Sequence, residues 1–254
     1  MIAAFKKGWR PLVAILLFIF IWEFAVALFK IEAWLLPAPT DIIAEFVVVW
    51  ESFFPHVGST IQLAVGGLLI GAITGLGVAM LLHLFAPIRE TFYPFLILSQ
   101  NIPIIVLAPL LVIWFGFGSL PKLIVITLAC FFPVAVATLD GLQQTNRDLS
   151  MYMQMMGATK SQMFFKLELP HAIPQIMSGM KIAATYSVMA AVISEWLGAQ
   201  EGIGVYMTLA VSSYKTARVF VAIIVTMVLS LVFFGVIVWI EKVLVRWQKK
   251  GASS

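Results

Sequence analysis

The chain has 254 residues, 62% hydrophobic and only 11% charged, with a formal net charge of +4 at pH 7. A typical soluble domain is about 25% charged, so this composition excludes a water-soluble fold of this size and makes the bilayer the solvent. The basic excess is then a matter of sidedness rather than of nucleic-acid binding, and the single Cys130 excludes an internal disulfide.

A helix needs roughly 20 apolar residues to cross the hydrocarbon. Six segments qualify, at about 11–29, 60–82, 92–115, 120–139, 176–197 and 218–240. They predict an all-α, polytopic membrane protein with six transmembrane helices, built as one domain over 1–254. The first span follows Lys6, Lys7 and Arg10 and contains Ala25-Val26-Ala27, a pattern also found in secretory signals. Its apolar run exceeds the usual signal core of about 7–15 residues and holds Glu23, so it is kept as structure.

Next comes Leu35-Leu36-Pro37-Ala38-Pro39-Thr40-Asp41. The paired prolines fix an extended approach, and Thr40 can cap a following helix. That helix would carry Ile42, Ile43, Phe46, Val47 and Trp50 on one face and Asp41 and Glu45 on another. It reads as a short amphipathic piece lying in the membrane surface. In the second span, Gly67, Gly71 and Gly75 recur every four residues, a stripe that lets another helix approach closely. Packing within the subunit and a subunit interface are both open, the former favoured.

No Asp, Glu, Lys or Arg occurs in 91–121, which is too long for one straight span. Pro94, Pro103 and Pro109 punctuate it, predicting a proline-broken helix and then a turn at Gly116-Phe117-Gly118. Broken backbone in a membrane must be buried in protein or line a cavity. Ser99-Gln100-Asn101 is polar at middle depth, so Gln100 and Asn101 either hydrogen-bond between helices or line a path, which makes them pathway or gate candidates.

Six spans put both termini on one side. Of the 16 Lys and Arg, twelve fall on the segments of that side: Lys6, Lys7, Arg10, Arg89, Arg147, Lys160, Lys166, Lys181, Lys242, Arg246, Lys249 and Lys250. The other side holds four: Lys30, Lys122, Lys215 and Arg218. The positive-inside rule therefore places both termini, and the long segment 140–175, in the cytoplasm.

Within that segment Asp148 can cap a short helix over Leu149–Met156 that Gly157 ends. Thr159 and Gln162 have the spacing of a capping box for a second helix, which Pro170 and Pro174 would stop. Met151, Tyr152, Met153 and Met156 gather around the bend. Methionine suits a surface that stays bound while its partner moves; packing of the cluster on the span ends is the equal alternative.

This segment resembles the cytoplasmic loop of binding-protein-dependent ABC importer permeases. Their pattern is Glu-Ala-Ala, three residues, Gly, nine residues, an aliphatic, one residue, Leu-Pro. Gly157 is followed after nine residues by Leu167, Glu168, Leu169 and Pro170, while Met151-Tyr152-Met153 stands in place of Glu-Ala-Ala. The resemblance extends over Leu36-Pro37-Ala38-Pro39, Phe115-Gly116-Phe117-Gly118, Phe131-Phe132-Pro133, Asp140-Gly141, Glu195-Trp196-Leu197-Gly198-Ala199 and Gly202-Ile203-Gly204. It falls in the nitrate, sulfonate, taurine and pyrimidine-precursor branch, and is most similar to permeases for the hydroxymethylpyrimidine precursor of thiamine.

The resemblance implies an ABC importer type I permease fold in a bacterial inner membrane. Its implied partners are a second permease subunit forming a homodimer, two ABC ATP-binding subunits that carry the ATP and Mg, and an external solute-binding protein. Met151, Tyr152, Met153, Met156, Gly157, Ala158, Leu167, Leu169 and Pro170 would then dock in a groove of the ATPase.

The chain itself supplies no energy-coupling chemistry. It has no Gly-x-x-x-x-Gly-Lys-Ser/Thr. His56, His83 and His171 lack metal-ligand spacing, so no cofactor is expected in this chain, and no nucleophile and base suggest an enzyme. Gly202-Ile203-Gly204 reads as an outer turn. Intramembrane carboxylates are functional by default, which makes Glu195, and more weakly Glu23, gate candidates. A self-sufficient secondary transporter using Glu195 is the rival from another class. Riboflavin, sulfonate or nitrate cargo remain open beside a thiamine pyrimidine precursor.

Overall fold

The computed structural model describes residues 2–245; Arg246, Lys249 and Lys250, counted above for sidedness, lie outside the described residues. The chain folds as α1 (Ile2–Phe29), α2 (Pro39–Leu84), α3 (Ala86–Ser99), α4 (Ile104–Phe115), α5 (Ser119–Gln143), α6 (Arg147–Met155) and α7 (Lys160–Met163). A π turn (Phe164–Glu168) then leads into α8 (Leu169–Glu195), followed by α9 (Ile203–Ser212) and α10 (Thr216–Leu244). Among the described residues, five helical stretches are long and apolar enough to span a membrane. The stretch expected as the third span is the pair α3 and α4, broken at residues 100–103 with Pro103 at the cap of α4 and turned at Gly116, while Pro94 and Pro109 lie within the two helices.

The core is a three-helix contact of α2, α5 and α8, filled by Ala64, Leu68, Ile126, Ala129, Val134, Ala184, Val188 and Ala191. Small side chains let the helices approach. A Cβ at Gly71 would sit 2.6 Å from the Cβ of Cys130, and one at Gly75 would sit 2.8 Å from the carbonyl of Phe131. The glycine stripe therefore serves packing inside the subunit, against α5. On the other side of α5, a Cβ at Gly179 of α8 would meet the Pro133 carbonyl at 2.5 Å. By contrast α1 touches only the edge of the bundle, with 6% of its spanning window buried against 56% for the stretch ending in α8. Most of the apolar side chains of its spanning window face away from the bundle.

The expected surface helix before the second span does not exist as a separate element. Helix α2 runs unbroken through Pro55 for 46 residues, about 69 Å, more than twice the roughly 30 Å hydrocarbon thickness. Its first half is held by packing: Ile42, Val49, Phe53 and Val57 form a buried stripe against Ile203 and Tyr206 of α9 and Val221 of α10. Ile43 and Val47, expected on the same face as Ile42, are exposed. Thr40 lies inside the first turn rather than at the cap, where Ala38 stands. Its hydroxyl instead donates to Glu23 Oε1 at 2.8 Å and ties α1 to α2.

Two further expectations are corrected. Pro170 and Pro174 do not stop a helix, because α7, the π turn and α8 form one continuous rod. A proline clashes with the carbonyl four residues back, and the widened π turn immediately before Pro170, in which Leu169 N–H donates to Phe164 O, opens that room. Likewise Gly202 is the cap of α9 and Ile203 and Gly204 are its first residues, so this stretch starts a helix rather than forming a simple turn.

Candidate functional site

The segment between α5 and α8 projects from one end of the bundle, and each of its bends has a local cause. Asn146, not Asp148, caps α6: its Oδ1 accepts from Asp148 N–H at 2.8 Å and Leu149 N–H at 3.4 Å. Asp148 sits in the first turn, where its charge suits the helix dipole. At the other end Gly157 takes φ +79°, Ala158 N–H donates to Met153 O at 3.0 Å and Gly157 N–H to Gln154 O at 2.9 Å. This is the Schellman closure that glycine permits. Thr159 and Gln162 then make the predicted reciprocal box, at 2.9 and 3.3 Å.

The elbow so formed turns apolar side chains outward. Met151, Tyr152 and Met156 are exposed, and Met155, which the sequence reading left out, is the most exposed at 86%. Met151, Met155 and Met156 therefore do not pack on the span ends. Met153 and Ala158 are half-buried beneath them. Leu167, Leu169 and Pro170 are also half-buried, and Leu169 packs against the cluster of Leu142, Phe164, Ala172 and Ile176. These residues root the segment in the bundle, while the methionine side presents it. The rooting includes one bond the sequence reading missed: His83 Nε2 lies 2.8 Å from Glu168 Oε2.

A half-open cleft of about 620 Å³ lies between α3, α4, α5 and α8. Gln100 lines it, together with Ser99, Phe132, Asp140, Gln175 and Tyr186. The broken backbone at 100–103 thus borders a cavity, which is the condition for such a break at membrane depth. Asn101 does not line the cleft; its amide Nδ2 donates back to Ile97 O at 3.1 Å.

Glu195 does not line it either. Its side chain is 1% exposed and accepts from Thr60 Oγ1 at 2.7 Å and from Gly204 N–H at 2.8 Å. Thr60 Oγ1 in turn accepts from Ile203 N–H at 2.9 Å, and His56 Nδ1 accepts from Gly202 N–H at 3.1 Å. The first amides of α9 have no partner within their own helix, so Glu195, Thr60 and His56 satisfy them and pin α9 to α8 and α2. Gly202, at φ +133°, brings its backbone against the Glu195 carboxylate, leaving no room for a side chain. Glu23 is likewise a tie between helices. Among the described residues no group of His, Cys, Asp and Glu could hold a metal ion.

Comparison with known proteins places this geometry. Residues 67–246 match the family described as binding-protein-dependent transport system inner membrane component. Over 242 residues the chain is 34% identical to the formylaminopyrimidine transport permease protein ThiX of Halalkalibacterium halodurans, covering 95% of this chain and 96% of that one. It is 27% identical to the riboflavin transport system permease protein RibX of Chloroflexus aurantiacus, covering 94% and 89%. It is 26% identical to the taurine transport system permease protein TauC of Escherichia coli, covering 72% and 70%. The fold is similar to the crystal structure of an amino acid ABC transporter with histidines, with a TM-score of 0.63 at 16% identity, over 80% of this chain and 97% of that one.

Proposed function

We propose a role that starts from one established point: the chain belongs to the binding-protein-dependent transport system inner membrane component family. In this role two copies pair in the inner membrane with their termini in the cytoplasm. Each copy rests its elbow in a groove of an ATP-binding subunit that holds ATP and Mg. An external binding protein delivers the solute to the opposite end. The chain does no chemistry of its own.

The observation that carries this reading is the elbow: Met151, Tyr152, Met155 and Met156 are exposed on and just after α6, between two satisfied caps, and the capped turn at Gly157 leads into the continuous rod of α7, the π turn and α8. An exposed apolar knob on a polar segment is costly unless a partner covers it. Closure of the ATPase pair would move the knob, and the contact must differ between the inward-open and outward-open states for hydrolysis to bias them. The solute is a thiamine pyrimidine precursor, supported by the 34% identity to the formylaminopyrimidine permease against 27% and 26% for the riboflavin and taurine permeases.

The test is uptake of formylaminopyrimidine into proteoliposomes, with the chain alone and with its ATP-binding subunit and binding protein. Accumulation should need both partners and ATP. Uphill uptake by the purified chain alone would show a secondary transporter and end this reading.

A further inference from the structure

Cavities that enclose small ligands run from about 300 to 1,000 Å³ and combine apolar walls with a few polar groups. The cleft beside Gln100 fits that description at about 620 Å³. Among its described lining residues Asp140 is the only Asp or Glu, and no Lys, Arg or His is present. The three ion pairs among the described residues are His83–Glu168, Lys181–Glu241 and Arg218–Glu45, so Asp140 belongs to none of them. It is half-buried, with the exposed amides of Gln100 and Gln175 and the rings of Phe132 and Tyr186 in the same lining.

This is a recognisable chemistry. A carboxylate without a cation opposite it accepts hydrogen bonds from N–H groups and repels anions. Two side-chain amides can both donate and accept, which suits the mixed edge of a nitrogen heterocycle. Phenyl and phenol faces offer a planar ring a surface to stack on. A sulfonate or nitrate would meet a like charge at Asp140 and no compensating cation in the lining.

We propose that this cleft is a solute site within the membrane domain, taking a planar nitrogen heteroaromatic that bears N–H donors and excluding oxyanions. Asp140 accepts from the exocyclic amino group, Gln100 and Gln175 address the ring edge, and Phe132 and Tyr186 bound its faces. The inference rests on the permease reading and deepens it: the binding protein is not the sole source of selectivity, because the membrane subunit repeats the choice.

The experiment uses the full complex of permease and ATP-binding subunits in nanodiscs, without binding protein, and titrates it with radiolabelled formylaminopyrimidine and with taurine. Saturable binding of the pyrimidine and none of taurine is expected. Asp140→Asn, which keeps the shape but trades a charge-assisted bond for a neutral one, should weaken pyrimidine binding about tenfold. Tyr186→Ala should weaken it by a similar factor. Binding-protein-stimulated ATP hydrolysis is measured in a separate assay on the wild-type complex with binding protein added, and should be present. No pyrimidine binding to the wild type, affinity unchanged from the wild type in both variants, or taurine binding as tightly as the pyrimidine overturns the site while leaving the permease reading intact. Absence of any stimulated hydrolysis in the wild-type complex overturns the permease reading instead.

Discussion

His83 and Glu168 join the two ends of the machinery that matter most: Nε2 of one lies 2.8 Å from Oε2 of the other. His83 closes the last turn of α2, the longest helix, and Glu168 closes the π turn that roots the elbow. The pair is only partly exposed, 15% and 20% at the side chains, so solvent screens it incompletely. In the proposed role, a push on the elbow would reach α2 through this pair as well as α8.

Replacing His83 with Leu should cut solute uptake per ATP hydrolysed by about tenfold, since a bond involving a charged group is worth roughly 1.5–3 kcal/mol and 1.4 kcal/mol is a factor of ten. Assembly with the ATP-binding subunit should survive, because the methionine surface is untouched. Uptake and phosphate release measured on the same proteoliposomes check this; an unchanged ratio removes the pair from the coupling route.

Gly157→Leu acts through the backbone. No atom within 4 Å obstructs a side chain there, but φ +79° costs an L-residue about 1–2 kcal/mol. The bundle should stay folded while the elbow loosens, so the thermal midpoint of the membrane domain should hold and co-purification of the ATP-binding subunit should fall. Met155→Asp should do the same without backbone strain, by placing a charge at the most exposed point of the knob.

Glu195 separates the two classes of transporter. Glu195→Gln keeps an acceptor for Gly204 N–H and can still pair with Thr60, so uptake should remain within a few-fold of wild type. Glu195→Leu strands the Gly204 amide in a buried site, at about 1–3 kcal/mol, while the Thr60 hydroxyl keeps the His56 carbonyl at 3.1 Å, and should lower the thermal midpoint. Loss of all uptake in the Gln variant, with stability intact, would point to a proton relay.

Two glycines of α2, one in the stripe and one outside it, give a matched pair. Gly71→Ala forces a Cβ to 2.6 Å from that of Cys130, whereas Gly77→Ala meets nothing within 4 Å. Overpacking of this kind costs about 1–3 kcal/mol. Melting in detergent should separate the two variants by several degrees, with Gly77→Ala at or above the wild type because alanine favours helix.

Much of the fold is legible in composition and punctuation. The charge-free runs mark the spans, Pro103 marks the broken third span, and Gly157 and Thr159 mark the elbow, because each signal is local. What stays hidden depends on contacts between distant residues. Pro39–Leu84 looks like a surface helix and a separate span because Asp41 and Glu45 face away from its first apolar residues; packing of Val49 and Phe53 on α9 and α10 holds it as one. The π turn has no sequence signature apart from the proline it accommodates. Asp140 and Tyr186 lie 46 positions apart in sequence and meet in one cleft only after α5 and α8 pack, so neither could be paired from the letters alone. Glu195 was conspicuous as a buried charge, but its role follows from amides of a helix that begins eight residues later.

The stretch from Lys160 to Glu195 is 36 residues without interruption, about 54 Å. Its first turn hangs from the capped elbow, and its last residue holds the start of α9. In the proposed role a stiff bar of that length is a lever: a slight tilt at its elbow end would become a displacement of ångströms at the end that holds α9.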